Sequence, residues 1–292
     1  MISYFQAVVI GLLQGVTELV PISSLGHSVL LPELFGWHNI VAAQSADESY
    51  YLAFLVALHV ATALALLIHF RTTWVRVIRA FFSVVGKRRI ETADERLAMV
   101  IVVATVPIGV LGLGLEHFLR TVFAKPAAAS VFLMVNGAIL LLGERLRRKA
   151  TTAPVPADGV EPAGRDLATL DLREAAIIGT AQSLALFAGI SRSGVTMTGG
   201  LLRGLNHEDA AHLSFLLATP VIFAAGIYKI PDLFGSLGDG VRSQALAGGV
   251  AAFVAAYAAV RFLERYFLRR TLTPFAIYCF AMGAVSLGVA LR

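Results

Sequence analysis

Charge is scarce in this chain. Asp, Glu, Lys and Arg make up 15% of its 292 residues and hydrophobic residues 57%, and mean hydropathy is +0.76. A soluble domain carries about a quarter charged residues, so a soluble fold is excluded and an all-α, polytopic membrane protein is expected. Cysteine is almost absent, since Cys279 stands alone. That excludes an intramolecular disulfide and any thiolate metal cluster. Walker loops, CxxC pairs and zinc motifs are also missing. The N-terminal apolar run lacks a basic flank and carries Gln14 and Glu18 where a signal peptide is purely apolar, so it reads as retained structure. The net charge of +5 does not indicate nucleic acid, because the basic residues fall in loops between apolar stretches.

Spans of about 20 residues, the length a bilayer needs, are expected near 50–70, 97–117, 126–143, 210–230, 244–263 and 273–291. Between the first two lies Arg71 to Arg96, read as a basic loop, and after the third a Pro- and Ala-rich linker at 147–170. The loop from Gly36 to Ser49 holds Asp47 and Glu48 and no Lys or Arg.

The chain then repeats itself. A shift of 168 pairs Ala7, Ile10, Gly11, Gln14, Ile22, Ser23 and Gly26 with Ala175, Ile178, Gly179, Gln182, Ile190, Ser191 and Gly194. A shift of 161 continues the match from Leu52 with Leu213 to Ala63 with Ala224. Two repeats are expected, 1–146 and 171–292, each a broken helical hairpin (3–35 and 171–204) plus three spans. If both hairpins are re-entrant, three crossings per half invert the second repeat relative to the first and bring the two breaks together at the midplane. Basic residues favour one side of this arrangement by eighteen to five, which puts both termini and the opening of the first hairpin outside.

Within the first hairpin, Gln14, Glu18, Ser23, Ser24 and His27 crowd around Pro21. Gln14 and Glu18 share a helix face at i, i+4, and Ser23 or Ser24 can cap a second half-helix after the break. Ionisable groups at membrane depth are costly and usually line a substrate or ion path. The second hairpin offers Ser191, Arg192, Ser193 and Thr196, with Gly189 and Gly194 to permit tight turns. A guanidinium there forks onto phosphate oxygens or pairs with Glu18, and the two roles are compatible. His59, His69, His117 and His212 read as interfacial or interhelical hydrogen-bonders, Asn136 as interhelical glue, and Gly11 with Gly15 as a close-packing face.

Taken together, Gln14 to Glu18 (an [E/Q]xxxE motif), Pro21, Ser23, Ser24, Gly26 and His27 (PxSSxGH), and Gly189, Ser191, Arg192, Ser193 and Gly194 (PGxSRSG) resemble the undecaprenyl-diphosphate phosphatase, or bacitracin-resistance, family. The resemblance covers the whole chain. It departs at Gln14, where many members carry a second Glu, at Leu25, where Thr is frequent, and at Ala188, which replaces a proline. It implies an enzyme of the bacterial inner membrane, opening to the periplasmic face, that removes the terminal phosphate of a C55 polyprenyl diphosphate and recycles the cell-wall lipid carrier.

A diphosphate calls for cationic donors, a nucleophile or activated water, and a proton shuttle. The expected roles are Ser24 as nucleophile, His27 as general base and acid, Glu18 as orienter of His27 or metal ligand, and Arg192 as phosphate clamp. Ser23, Ser191, Ser193 and Thr196 hold phosphoryl oxygens, and Gln14 joins the substrate site. Mg2+ or Ca2+ is the expected cation, and membrane lipids and the polyprenyl diphosphate are the expected partners. A homodimer is compatible with the sequence but not specified by it. Attack by His27 or by water stays open, as does a flippase or inverted-repeat transporter in place of the enzyme.

Overall fold

The computed structural model describes residues 2–37, 39–40, 50–123, 125–150, 165–235 and 238–291. Most of the acidic loop (41–49) and the centre of the linker (151–164) therefore lie outside the described residues.

The chain is all-helical, as its composition demands, because in lipid a helix satisfies its backbone polar groups within one segment. In order the helices of ten residues or more are α1 (Tyr4–Thr17), α2 (Ser24–Leu34), α3 (Tyr50–His69), α4 (Arg71–Lys87), α5 (Ala93–Phe123), α6 (Pro126–Ala150), α7 (Leu172–Gln182), α8 (Arg192–Leu202), α9 (His207–Lys229), α10 (Arg242–Phe267) and α11 (Thr273–Ala290). Six of these, α3, α5, α6, α9, α10 and α11, are long and apolar enough to cross a membrane. All six expected spans are present, several extended by a turn or more. The protein is thus a multi-pass membrane protein.

One expectation needs correcting. Arg71 to Arg96 is not a basic loop, because Arg71–Lys87 forms a helix of its own. Trp74, Val77 and Ala80 recur every third residue, are buried, and seat α4 against α5. Its outer side exposes both Arg76 and Arg79 and the apolar Val75, Ile78, Phe82 and Val85. Basic side chains hid an amphipathic period from a reading based on charge. Glu95 ties the two helices together, accepting from Ser83 Oγ at 2.7 Å and from the Glu91 and Thr92 amides at 2.7 and 3.1 Å.

The four short helices position the site. α1 and α2 are 14 and 11 residues long, and α7 and α8 are 11 each. At 1.5 Å per residue they reach about 16 to 21 Å, short of a hydrocarbon core of about 30 Å. α1 packs on α10, and α7 packs on α5. Gly11 makes the first contact possible, since a Cβ there would collide with the Gly248 backbone. Gly179, its equivalent under the shift of 168, does the same against the Ala104 backbone. Gly15 continues the α1 seam against Ala252 and Ala256.

Candidate active site

Each broken hairpin restarts at a serine. Ser23 caps α2 by accepting from the Gly26 amide at 3.1 Å, and Ser191 caps α8 by accepting from the Gly194 amide, also at 3.1 Å. The two breaks then lock onto each other. Ser23 Oγ also accepts from the Gly189 amide at 3.2 Å, and a Cβ on Gly26 would strike Gly189 Cα at 2.9 Å. Ser23 holds a φ of 69° and Gly189 one of 112°. The first is a left-handed backbone strained for a serine, and the second is open to glycine at little cost. Asn136 of α6 spans both segments, donating to the Pro21 carbonyl at 2.9 Å while its Oδ1 accepts from the Ser191 amide at 3.0 Å. Asn136 is therefore more than helix–helix glue.

Glu18 sits at this junction, 7% exposed. Its Oε1 accepts from Arg192 Nη2 at 3.0 Å. Its Oε2 accepts from Ser24 Oγ at 2.6 Å and from Gln14 Nε2 at 3.1 Å. The serine bond has the short length of a hydroxyl on an ionised carboxylate. Arg192 also donates from Nη1 to the Ser214 carbonyl at 3.1 Å, so its fork is fixed at both prongs. Glu18, Ser23, Ser24, Ser191 and Arg192 line one cavity of about 270 Å³, whose remaining walls are mostly apolar.

Other expected site residues do not line this cavity. His27 is buried, with Nδ1 donating to the Ser23 carbonyl at 2.7 Å and Nε2 2.8 Å from the Tyr278 hydroxyl. Its ring is turned to the carbonyl one helical turn back, a ready acceptor, and not to Ser24 or Glu18. Ser193 bonds Ser191 Oγ at 2.9 Å and the Val20 carbonyl at 3.3 Å, and Thr196 bonds the Arg192 carbonyl at 2.8 Å. Both stay within the backbone scaffold and off the cavity wall. Sequence reasoning missed two neighbours, Tyr278 beside His27 and His59 beside Glu18. The signal for His59 was an imidazole in mid-span of an otherwise apolar helix.

The donor set does not fit a resident divalent cation. Among the described residues Glu18 is the one carboxylate at the junction, and both its oxygens already meet hydrogen-bond donors. Gln14 supplies an amide where a second carboxylate would be needed. Among the described residues no group of three His, Cys, Asp or Glu could hold a metal. Hard cations of this kind take six or more oxygen ligands.

The family model described as bacitracin resistance protein BacA matches residues 7–285. The chain is 56% identical to the undecaprenyl-diphosphatase of Mycolicibacterium paratuberculosis (strain ATCC BAA-968 / K-10), over 98% of this chain and 97% of that one. It is 53% identical to undecaprenyl-diphosphatase 2 of Frankia alni (strain DSM 45986 / CECT 9034 / ACN14a), over 97% of each. Against the undecaprenyl-diphosphatase of Granulibacter bethesdensis (strain ATCC BAA-1260 / CGDNIH1) it is 43% identical, over 95% of this chain and 94% of that one. With a paired carboxylate, serine and guanidinium meeting between two broken hairpins, and with relatives matched along nearly its whole length, the chain belongs to the BacA family of bacitracin-resistance proteins.

Proposed function

We propose that this membrane protein is an undecaprenyl-diphosphatase that works through a phosphoserine on Ser24. The observation that carries the reading is the Ser24–Glu18–Arg192 cluster: a hydroxyl 2.6 Å from a buried carboxylate, which is itself bound to a fixed guanidinium 3.0 Å away. A nucleophile needs an adjacent base, and Glu18 fills that role, because His27 is engaged with Ser23 and Tyr278.

Ser24 Oγ attacks the terminal phosphorus and its proton passes to Glu18 Oε2. The bond to the bridging oxygen breaks, and undecaprenyl phosphate leaves with that electron pair. Water then attacks the phosphoserine, the P–O bond to Ser24 breaks, and Glu18 returns the proton to Oγ. Inorganic phosphate departs carrying both protons of the water. Arg192 and the first-turn amides of α2 and α8 supply donors to the phosphoryl oxygens throughout. No step is routed through a metal ion, and a cation arriving on the diphosphate is part of the substrate.

The matched serine caps and the matched glycines Gly11 and Gly179 support reading the two halves as inverted repeats with re-entrant hairpins. The bias of basic residues supports a site that opens to the outer face, and membership of the BacA family supports placement in the inner membrane.

The test is phosphate release from undecaprenyl and farnesyl diphosphate by the purified protein, with trapping of labelled enzyme. Wild type is expected to give an acid-stable phosphoserine, and Ser24→Ala to give neither label nor turnover. An active Ser24→Ala protein, or an acid-labile phosphoramidate on His27, overturns the serine scheme.

A further inference from the structure

Every polar group on the cavity wall but one comes from the broken hairpins. The exception is His59, on the spanning helix α3. The other residues that α3, α5 and α9 contribute to the same wall are Val56, Ile108, Val221, Ile222 and Ala225. An imidazole placed alone on that apolar wall at membrane depth is costly unless it has a partner or a task.

The ring is oriented by its own helix. Nδ1 lies 2.7 Å from the Leu55 carbonyl. A carbonyl only accepts, so Nδ1 carries a proton and Nε2 is the nitrogen turned to the site. Nε2 stands 3.4 Å from Glu18 Oε2, another acceptor. Each ring nitrogen therefore faces an oxygen, and both contacts are satisfied when both nitrogens bear hydrogen.

The second contact is also the loosest at Glu18. The oxygen it approaches already accepts from Ser24 at 2.6 Å and Gln14 at 3.1 Å, and 3.4 Å is well beyond the 2.7–2.9 Å of a full charge-assisted bond. The His59 side chain is 23% exposed, against 9% for Arg192. It is the more accessible of the two donors, and the one with least to lose on taking a new acceptor.

Building on the diphosphatase reading, we propose that His59 is a further phosphate-binding residue, presenting its Nε2–H to the diphosphate from the spanning-helix wall while Arg192 holds it from the hairpin side. A guanidinium and an imidazole N–H on either side of Glu18 suit a ligand that carries more than one negative charge. His59 touches the bound phosphate on this proposal, and what it contributes is an N–H donor.

The test separates a donor from a space-filler. His59→Leu keeps most of the ring's volume and removes the N–H, whereas His59→Gln retains an amide N–H. Inorganic pyrophosphate serves as competitive inhibitor of phosphate release from farnesyl diphosphate, with thermal unfolding run on each variant to confirm folding. His59→Leu is expected to raise the pyrophosphate Ki and the substrate KM at least tenfold, and His59→Gln to recover at least fivefold of that loss. A Ki for His59→Leu within threefold of wild type overturns the proposal, as does a His59→Gln variant no better than His59→Leu. If His59→Leu does not fold, His59→Met takes its place under the same criteria. Thermal protection by pyrophosphate is measured in parallel in the Ser24→Ala background, with and without His59→Leu. If the serine scheme fails, that protection still reports on His59 alone.

Discussion

The Ser24 hydroxyl donates to Glu18 Oε2 across 2.6 Å, joining the first turn of α2 to the residue that ends α1. Because the same carboxylate holds Arg192, its loss removes the base and strands a cation. Glu18→Gln is therefore expected to abolish turnover and to lower stability by about 3 to 5 kcal/mol, the cost of breaking a buried pair from one side. Phosphate release and detergent-solubilised thermal unfolding check the two effects separately. An active, wild-type-stable Glu18→Gln enzyme would move the base elsewhere.

Arg192→Lys keeps the charge and loses the fork. Lysine cannot reproduce the planar pair of donors that now reach Glu18 and the Ser214 carbonyl together. A folded protein with turnover down about a hundredfold is expected, as for removal of one transition-state donor. Turnover near that of wild type would reduce Arg192 to an ion-pair partner.

His27 and Tyr278 make a different forecast. The 2.8 Å contact between them leaves Ser24 Oγ bonded to Glu18 and not to His27, so Tyr278→Phe is expected to cost less than tenfold in kcat. His27→Ala, which also removes the ring's bond to the Ser23 carbonyl, is expected to cost more. If Tyr278→Phe matched Ser24→Ala in severity, the imidazole would belong to the chemistry after all.

Topology can be tested with single cysteines in a Cys279→Ala background. Phe35→Cys and Asp239→Cys, both at exposed positions, are expected to label from the periplasmic side, and Ala157→Cys only from the cytoplasm. Labelling of all three from one side would rule out inverted repeats.

The six spans and the two polar clusters were legible in the sequence because membrane depth leaves a strong signature: long apolar runs, with charge tolerated only where it has a partner. Glu18, Ser24 and Arg192 announced themselves as ionisable or hydroxyl groups beside helix breaks. The exchange of partners was not legible. Helical spacing puts Ser24 and His27 on one side, yet the ring's choice between Ser24 and the Ser23 carbonyl depends on side-chain torsions that spacing does not encode, and Tyr278 approaches from 251 positions away. His59 was overlooked for a related reason, since a lone histidine in a span has the same sequence signature whether it faces a neighbouring helix or a cavity. For α4, the arginines that gave the segment the look of a basic loop also masked the apolar stripe beneath them.

The ion pair between Glu18 and Arg192 closes a gap of 174 residues, and this has a consequence for biogenesis. Synthesis at about 5 to 20 residues per second puts Arg192 roughly 10 to 35 s behind Glu18. During that interval the first hairpin carries Glu18 without its guanidinium partner, with Gln14, Ser24 and, once α3 is made, His59 as its neighbours. The nascent N-terminal half is then a poor occupant of lipid by itself, held at the insertion machinery or in a shallow position until α8 arrives.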